Sequence, residues 1–287
     1  MVVSGIPGFF SATQGGATAA LVTTGDSRCV LKRLPSDSVS VVVTSPPYWG
    51  VRDYGDSRQI GLESTLEEYL LGLEVIFSEV YRVLKPSGTM WINIGDVYTS
   101  GNRNYRDTDK RCRNRALDIR PRTPYGLKSK DLIGLPWRVA MRLQALGYYL
   151  RQEIIWHKAN ALPESAQDRP GRNHEYLFLL SKSSHYEFHR EKLIASHPFA
   201  LRSVWSIPNR ASLIDGSCAV FPEALVLACL AASTQEHDVV LDPFSGSATV
   251  GRVCIAAERN FLGVELNSEF AKQSRILLRR LFCQLTC

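Results

Sequence analysis

The chain has no apolar run long enough to cross a lipid bilayer. Its longest uninterrupted apolar segment, residues 224–232, has nine residues, whereas a membrane-spanning helix needs about 20. Residues 1–20 have neither a basic start nor a continuous apolar centre, so we expect a loose N-terminus and no signal peptide. The sequence therefore predicts a protein that does not associate with membranes.

Common cofactor and metal fingerprints are also missing. The sequence has no G-x-x-x-x-G-K-[ST] phosphate loop and no G-x-G-x-x-G dinucleotide motif. Its seven cysteines are odd in number and form no C-x-x-C pair, which is typical of reduced thiols in a cytoplasmic protein. His185 and His189 have metal-like spacing but no neighbouring ligand set, so we expect no metal site.

Positive charge is concentrated in one segment. The 287-residue chain has a net charge of +6, and residues 99–130 hold ten Lys/Arg against three Asp. This segment therefore carries +7 and the rest of the chain −1. A basic segment on a near-neutral globule favours a loop that binds a polyanion. A solvated insertion is the alternative.

Strand and helix patterns alternate along the chain. Strands are predicted at residues 20–24, 39–44, 89–94, 149–156, 176–180, 239–241 and 261–265, and helices at 66–84, 136–147, 222–232, 249–257 and from 268 onward. Ser64 with Glu67 is predicted to form a capping box, and Ser268 to cap the last helix. The alternation predicts an α/β fold with a mostly parallel, doubly wound sheet. We expect one domain over 21–287, with insertions at 99–130 and 190–216.

A turn of small residues follows the strand at 239–241. The stretch Leu241-Asp-Pro-Phe-Ser-Gly-Ser-Ala-Thr249 leads into a helix N-terminus, which lets a ligand approach the backbone. Glu265 ends the next strand and could accept hydrogen bonds from both hydroxyls of a ribose. The combination predicts an adenosine-binding site, with a purely structural turn as the alternative.

A second turn, Thr44-Ser-Pro-Pro-Tyr48, follows the strand at 39–44. The carbonyl groups before and between the prolines have no following N–H, and the rigid rings hold them pointing out of the sheet. With the Ser45 hydroxyl they form acceptors for a flat –NH2 group, and Tyr48 offers a face on which a heterocycle can stack. A structural turn with Tyr48 packed on the core is the alternative.

These turns, in this order, resemble motifs of the permuted β group of amino-methylating DNA methyltransferases. The resemblance spans roughly residues 24–282 and also includes Ile92-Asn-Ile-Gly-Asp96, residues 151–158 with Asn160 and Pro163, residues 221–225, and Gly263-Val-Glu-Leu266. It implies the S-adenosylmethionine-dependent methyltransferase fold in permuted order. In that family a first-position Ser usually accompanies methylation of the cytosine amine, and a first-position Asp or Asn usually accompanies methylation of the adenine amine. Two features depart from the family pattern. Ala248 stands where Gly is usual, and Gly216-Ser-Cys218 where a His is common.

The resemblance implies site-specific transfer of a methyl group to N4 of a cytosine flipped out of double-stranded DNA. The Ser45 hydroxyl and Pro46 carbonyl would accept the amine hydrogens, Pro47 would complete the turn, and Tyr48 would stack on the base. Asp96 is the candidate to orient Ser45 or to accept a proton through it. The implied cofactor residues are Asp26, Phe221, Pro222, Asp242, Pro243, Phe244, Gly246, Ser247, Thr249 and Glu265. The candidate DNA contacts are Lys110, Arg111, Arg113, Arg115, Trp156 and Lys158, with core packing as the alternative for Trp156.

Several alternatives stay open at this point. Adenine-N6 methylation is the main one, because the same pocket serves either base and the distinction rests on Ser45. Methylation at cytosine carbon 5 is disfavoured, since it uses a thiolate that usually follows a proline and none of the fourteen prolines precedes a cysteine. A nicotinamide-dependent oxidoreductase and a DNA-binding protein without catalysis, with Ala248 as its sign, are further options. We expect a cytoplasmic, prokaryotic, nucleoid-associated protein. A separate restriction endonuclease is a candidate partner, but the sequence does not show whether one is paired with it.

Overall fold

The chain forms one eight-stranded sheet covered by helices, as seen in a computed structural model. The structure describes residues 5, 6, 8, 9, 13, 18–100, 117, 121–161, 163, 164, 166–209 and 221–285. No helix within these residues is both long and apolar enough to cross a membrane.

The described residues form eight strands, and all but the sixth overlap a predicted strand. They are β1 (Ala20–Thr24), β2 (Val39–Thr44), β3 (Leu84–Ile94), β4 (Tyr149–His157), β5 (His174–Ser181), β6 (Val204–Ser206), β7 (Val239–Asp242) and β8 (Asn260–Glu265). The helices are α1 (Ser27–Val30), α2 (Leu66–Val83), α3 (Leu135–Ala145), α4 (Arg190–Ser196), α5 (Glu223–Ser233), α6 (Thr249–Ala256) and α7 (Ser268–Leu285). Short 3-10 turns occupy Leu31–Arg33 and Pro198–Leu201.

The sheet is mostly parallel. Its strand order is β1-β8-β7-β2-β3-β5-β4-β6, and only the two pairings made by β5, with β3 and with β4, are antiparallel. Side chains of β2 alternate between two apolar cores, with Val42 on the face covered by α2 and α3 and Val43 on the face covered by α5 and α6. The run of β-branched residues in β2 therefore forms a strand buried on both faces. The predicted α/β fold class is confirmed.

The link between α2 and β3 differs from the prediction. The helix ends at Val83, one residue before the predicted end, and the strand starts immediately, at Leu84, and not at Thr89. Leu84 pairs with Val39, and Thr89 pairs with Val41. Residues 85–88 therefore bulge out of the ladder between β2 and β3. A bulge accommodates Pro86 because the residue needs no ladder hydrogen bond there.

Two helix caps lie one residue away from their predicted positions. Thr65, and not Ser64, caps α2: its hydroxyl accepts from Glu68 N at 3.2 Å, and the Glu68 carboxylate accepts from Thr65 N at 3.0 Å. At α7 the side chain of Asn267, and not of Ser268, accepts hydrogen bonds from two N–H groups of the first turn. In both places two adjacent residues are competent caps, so the sequence alone does not select the register.

Part of the segment 190–216 extends the sheet. Residues 190–206 contain α4, a 3-10 turn and β6, which pairs in parallel with β4 at the sheet edge. Trp205 of β6 is buried beside Trp91, with ring centroids 6.0 Å apart. This part is therefore packed on the scaffold, while residues 210–216 lie outside the described chain.

Replacing Thr65 with Ala should lower the free energy of unfolding by about 1 kcal/mol, because the first turn of α2 loses its side-chain acceptor. Urea denaturation measures the change. Ser64→Ala is the matched control, since the Ser64 hydroxyl donates only to the exposed Glu68 side chain, at 2.7 Å. We expect a smaller loss in the control, and equal losses would contradict the cap assignment.

Candidate active site

The strands that lead into the two turns are neighbours. β2 and β7 pair in parallel, and at their ends Thr44 Oγ1 donates to Asp242 Oδ1 at 2.7 Å. Both side chains are buried. The turns that start at Ser45 and Pro243 therefore leave the sheet side by side, at the carboxyl edge where open α/β sheets bind ligands.

Asp242 is buried at the end of β7. Its side chain is 2% exposed, and its Oδ1 also accepts from Phe244 N at 3.0 Å. Burial raises the pKa of Asp242 from 3.8 to about 7, against the lowering effect of the bonds from Thr44 and Phe244, and the charge of Glu265 adds to the rise. The carboxyl group is therefore partly protonated near neutral pH while it joins the two strand ends.

A pocket opens above these strand ends and encloses about 870 Å³, counting the space at its mouth. The residues implied for the cofactor that line it are Asp26, Pro243, Phe244, Gly246 and Glu265. Ser45 and Pro47 of the Ser-Pro-Pro-Tyr turn line the same pocket. The structure thus brings the two predicted sites together in one cavity.

Glu265 is held through both of its carboxylate oxygens. Oε2 accepts from Gly246 N and Oε1 from Asn267 N, each at 2.8 Å. Burial raises the pKa of Glu265, although these N–H groups oppose the rise. Each oxygen can accept a second hydrogen bond, so the fixed carboxylate retains acceptor capacity for hydroxyl groups of a ligand.

Several pocket residues come from a segment without a recognisable motif. Arg52, Tyr54, Asp56 and Arg58, between β2 and α2, all line the pocket. Arg52 Nε is buried and has no hydrogen-bond partner among the described residues. A guanidinium in this state is suited to an anionic group of a ligand. Sequence reasoning missed this segment because charged residues in a loop are indistinguishable from ordinary surface residues.

The Ser-Pro-Pro-Tyr turn is anchored on both sides. Tyr69 of α2 donates to the Pro47 carbonyl at 2.9 Å, and Pro46 is buried. Tyr48 Oη donates to Glu175 Oε2 at 2.9 Å and lies 3.4 Å from Ser45 Oγ. Burial, and next the charge of Glu175, raise the pKa of Tyr48 well above 10.0. The phenol therefore stays protonated and acts as a donor.

Five residues implied for the cofactor lie outside the lining of this pocket: Phe221, Pro222, Asp242, Ser247 and Thr249. Pro222 is the N-cap of α5, and the hydroxyls of Ser247 and Thr249 lie 3.4 Å apart at the start of α6. Ala248, between them, has a φ of 53°. This left-handed conformation favours glycine, so the departure from the family pattern occurs at a strained position.

Two predicted roles disagree with the structure. Asp96 Oδ1 accepts from two backbone N–H groups, one of them at the first residue of α3, and no hydrogen bond joins Asp96 to Ser45 within the described chain. Asp96 is therefore a turn and helix cap. Trp156 is 2% exposed and donates to the Ile207 carbonyl. Its predicted contact with DNA is wrong, because the ring belongs to the core.

The remaining candidate DNA contacts fall into two groups. Lys158 forms an ion pair with Glu175, and both side chains are mostly buried. Its contact with DNA stays a prediction. Lys110, Arg111, Arg113 and Arg115 lie outside the described residues.

The part of the chain that contains both turns matches the model of a known protein family. A model of the DNA methylase family N6_N4_Mtase matches residues 39–275. The chain belongs to this family. The type II methyltransferase M.Cfr9I of Citrobacter freundii is 52% identical over 250 residues, which cover 86% of this chain and 83% of the relative. M.SmaI of Serratia marcescens is 48% identical over 267 residues, covering 90% and 91%.

Solved methylase structures share the fold. A putative DNA modification methylase of Thermus thermophilus, complexed with S-adenosyl-L-methionine, aligns with a TM-score of 0.65 and 28% identity over 91% of this chain and 93% of its own. PvuII DNA methyltransferase, which is cytosine-N4-specific, aligns with a TM-score of 0.67 and 20% identity over 93% of both chains. The second likeness shows the fold alone. The S-adenosylmethionine-dependent methyltransferase fold is confirmed.

The methylase therefore uses S-adenosylmethionine, and the pocket residues fit this cofactor. The carboxylate of Glu265 can accept hydrogen bonds from hydroxyl groups, Phe244 lines the pocket with an aromatic ring, and Arg52 has an unpaired buried nitrogen for a carboxylate. The Asp26 carboxylate is already bonded to Arg28 through both oxygens. The family also excludes the nicotinamide-dependent oxidoreductase that the sequence left open.

The D242N variant of this methylase should lose the pH dependence that Asp242 gives to folding. The carboxyl has a pKa of about 7 in the folded state, against an ordinary value of 3.8, so between these values the folded chain holds a proton that the unfolded chain releases. Wild-type stability should fall as pH rises from 5 to 7, by up to about 1.4 kcal/mol per pH unit from this group. It should level off above pH 7.

Urea denaturation of the wild type and D242N at pH 5, 6, 7 and 8 measures this effect. The asparagine keeps an oxygen acceptor for Thr44 but does not titrate. We expect the free energy of unfolding of the wild type to fall relative to that of D242N as pH rises. Parallel curves would show that Asp242 does not hold a proton in the folded state.

Proposed function

We propose that this methylase transfers a methyl group from S-adenosylmethionine to the exocyclic N4 amine of cytosine in duplex DNA. The observation that carries the proposal is the hydroxyl of Ser45 on the wall of the pocket that Glu265 also lines. Adenine-directed members of the family that the motif resembles have Asp or Asn at this position. Since M.Cfr9I and M.SmaI are named type II methyltransferases, we also propose a partnership with a separate restriction endonuclease.

The proposed site compensates for the weak nucleophilicity of the cytosine amine. The nitrogen lone pair is delocalised into the cytosine ring, so acceptors must draw the N–H hydrogens away and let the nitrogen become pyramidal. Ser45 Oγ and the Pro46 carbonyl supply these acceptors at the end of β2, and the Tyr48 ring stacks on the base. S-adenosylmethionine supplies the electrophilic methyl group. Most of the rate enhancement then comes from the orientation of the base toward the methyl group and from the dipoles of the Ser45 hydroxyl and Pro46 carbonyl, which point at the amine.

Identification of the modified base tests this proposal. Unmethylated genomic DNA is incubated with the protein and S-adenosylmethionine, digested to nucleosides and analysed by mass spectrometry, with a reaction lacking the cofactor as control. We expect N4-methylcytosine. N6-methyladenine would support the alternative base, and 5-methylcytosine would contradict amine chemistry altogether.

Replacing Glu265 with Ala should weaken binding of S-adenosylmethionine by about 1.5 to 3 kcal/mol, because a charged hydrogen-bond acceptor is lost. Calorimetric titration measures the change, and affinity for DNA should stay the same. Glu269→Ala is the matched control, since Glu269 is an exposed carboxylate four residues along in α7. Unchanged cofactor affinity in E265A would assign Glu265 to holding the turn only.

We also propose that the basic segment 99–130 binds the DNA backbone, with residues 190–216 contributing to recognition. If about six cations of the basic segment contact phosphates, affinity should fall by roughly 10³ or more between 50 and 200 mM salt. A variant with Lys110, Arg111, Arg113 and Arg115 replaced by Gln should bind any duplex more weakly and show a flatter salt dependence. Fluorescence anisotropy with labelled duplex DNA measures both.

The control for that variant removes four positive charges elsewhere. Its replaced residues are Lys32, Lys272, Arg279 and Arg280, all exposed. We expect it to keep the wild-type salt dependence. If both variants behave alike, net charge and not the basic segment determines DNA binding.

A further inference from the structure

We propose that Glu175 is a positioning residue of the methyl-transfer site, which acts through Tyr48 to direct the lone pairs of Ser45 toward the amine of the target base. The inference rests on the proposed function in taking Ser45 as an acceptor of the amine hydrogens. Glu175 lies on β5 and belongs to neither the Ser-Pro-Pro-Tyr turn nor the turn after β7.

The first step is the direction of the hydrogen bonds at Tyr48. Its Oη lies 2.9 Å from Glu175 Oε2, 3.4 Å from Asn93 Oδ1 and 3.4 Å from Ser45 Oγ. A phenol has one proton, and a carboxylate is a stronger acceptor than an amide oxygen. The shortest contact is also the charge-assisted one, so the Tyr48 proton points to Glu175.

The second step concerns Ser45. Because the Tyr48 proton is engaged by Glu175, the lone pairs of Tyr48 Oη are free to accept the Ser45 proton. The Ser45 hydroxyl then donates to Tyr48, and its own lone pairs stay available. Without Glu175, Tyr48 Oη could donate to Ser45 and occupy the lone pair that the amine needs.

The third step is that Glu175 is itself held in place. Its other oxygen pairs with Lys158, and the two side chains are 17% and 20% exposed. Lys158 Nζ also lies 4.8 Å from the ring centroid of Trp156, which pairs with Glu175 across β4 and β5. The buried Trp156 and the ion pair therefore fix the carboxylate that faces Tyr48.

Gly95 shows how closely these groups are packed. A Cβ atom added at Gly95 would lie 2.9 Å from Tyr48 Cε2 and 3.2 Å from Glu175 Cγ. Any side chain at position 95 would therefore push Tyr48 and Glu175 away from their present positions. Glu175 thus has the role that the sequence assigned to Asp96, whose carboxylate is engaged by backbone N–H groups.

A double-mutant cycle tests the proposal. The variants are E175Q, Y48F and the double variant, and the measurement is the single-turnover rate of tritium transfer from labelled S-adenosylmethionine to saturating unmethylated genomic DNA. We expect each single variant to lower the rate about 10-fold, the size of about 1.4 kcal/mol, and the double variant to be no slower than the slower single variant. Cofactor affinity should not change, and thermal unfolding measures the stability that E175Q loses with the Lys158 ion pair.

Two further variants complete the design. Glu153→Gln, an exposed carboxylate on the neighbouring strand β4, should transfer at the wild-type rate. Glu175→Asp keeps the charge beside Lys158 but withdraws the oxygen from Tyr48, so it should be slow although it is stably folded. It also provides the test if E175Q fails to fold.

Two results would overturn the proposal. Wild-type rates in E175Q or E175D would show that Tyr48 and Ser45 need no orientation by Glu175. A double variant about 100-fold slower, with multiplicative effects, would show that Glu175 acts on the substrate independently of Tyr48. Mass spectrometry of the same reaction products identifies the methylated base independently of the rates. An adenine product would overturn the proposed function, but the double-mutant cycle would still test the coupling between Glu175 and Tyr48.

Discussion

The parallel pairing of β2 with β7 is the constraint on which the site depends. Thr44 and Asp242 are 198 residues apart in the chain, yet their side chains are joined by a buried hydrogen bond at the ends of these strands. A buried hydroxyl or carboxyl without its partner would cost about 1–3 kcal/mol, so the bond favours one register. The two turns consequently leave neighbouring strands and line one cavity.

Local signals predicted the strand ends that carry the site. β2 runs over Val39–Thr44, as its β-branched residues and the two following prolines predict, and Glu265 ends β8 as expected. Such signals are contained in a few consecutive residues. The helix caps show the limit of this reasoning, because Ser64 and Thr65 are equally competent and no local signal distinguishes them.

The sequence did not indicate which carboxylate lies beside the Ser-Pro-Pro-Tyr turn. Asp96 follows a strand and precedes a loop, which is a typical position for a functional acid, whereas Glu175 lies within a strand. Glu175 approaches Tyr48 only because β5 pairs with β3, the strand beside β2. Arg52 was missed for a related reason, since its loop lines the pocket only in three dimensions.

A crystal structure with S-adenosylhomocysteine and a duplex containing the target base would test the central claim most directly. We expect the ribose hydroxyls on Glu265, the sulfur facing the Ser-Pro-Pro-Tyr turn, and an extrahelical cytosine with its amine at Ser45 and its ring on Tyr48. A cofactor bound outside the pocket shared by these residues, or a sulfur directed away from Ser45, would contradict the claim.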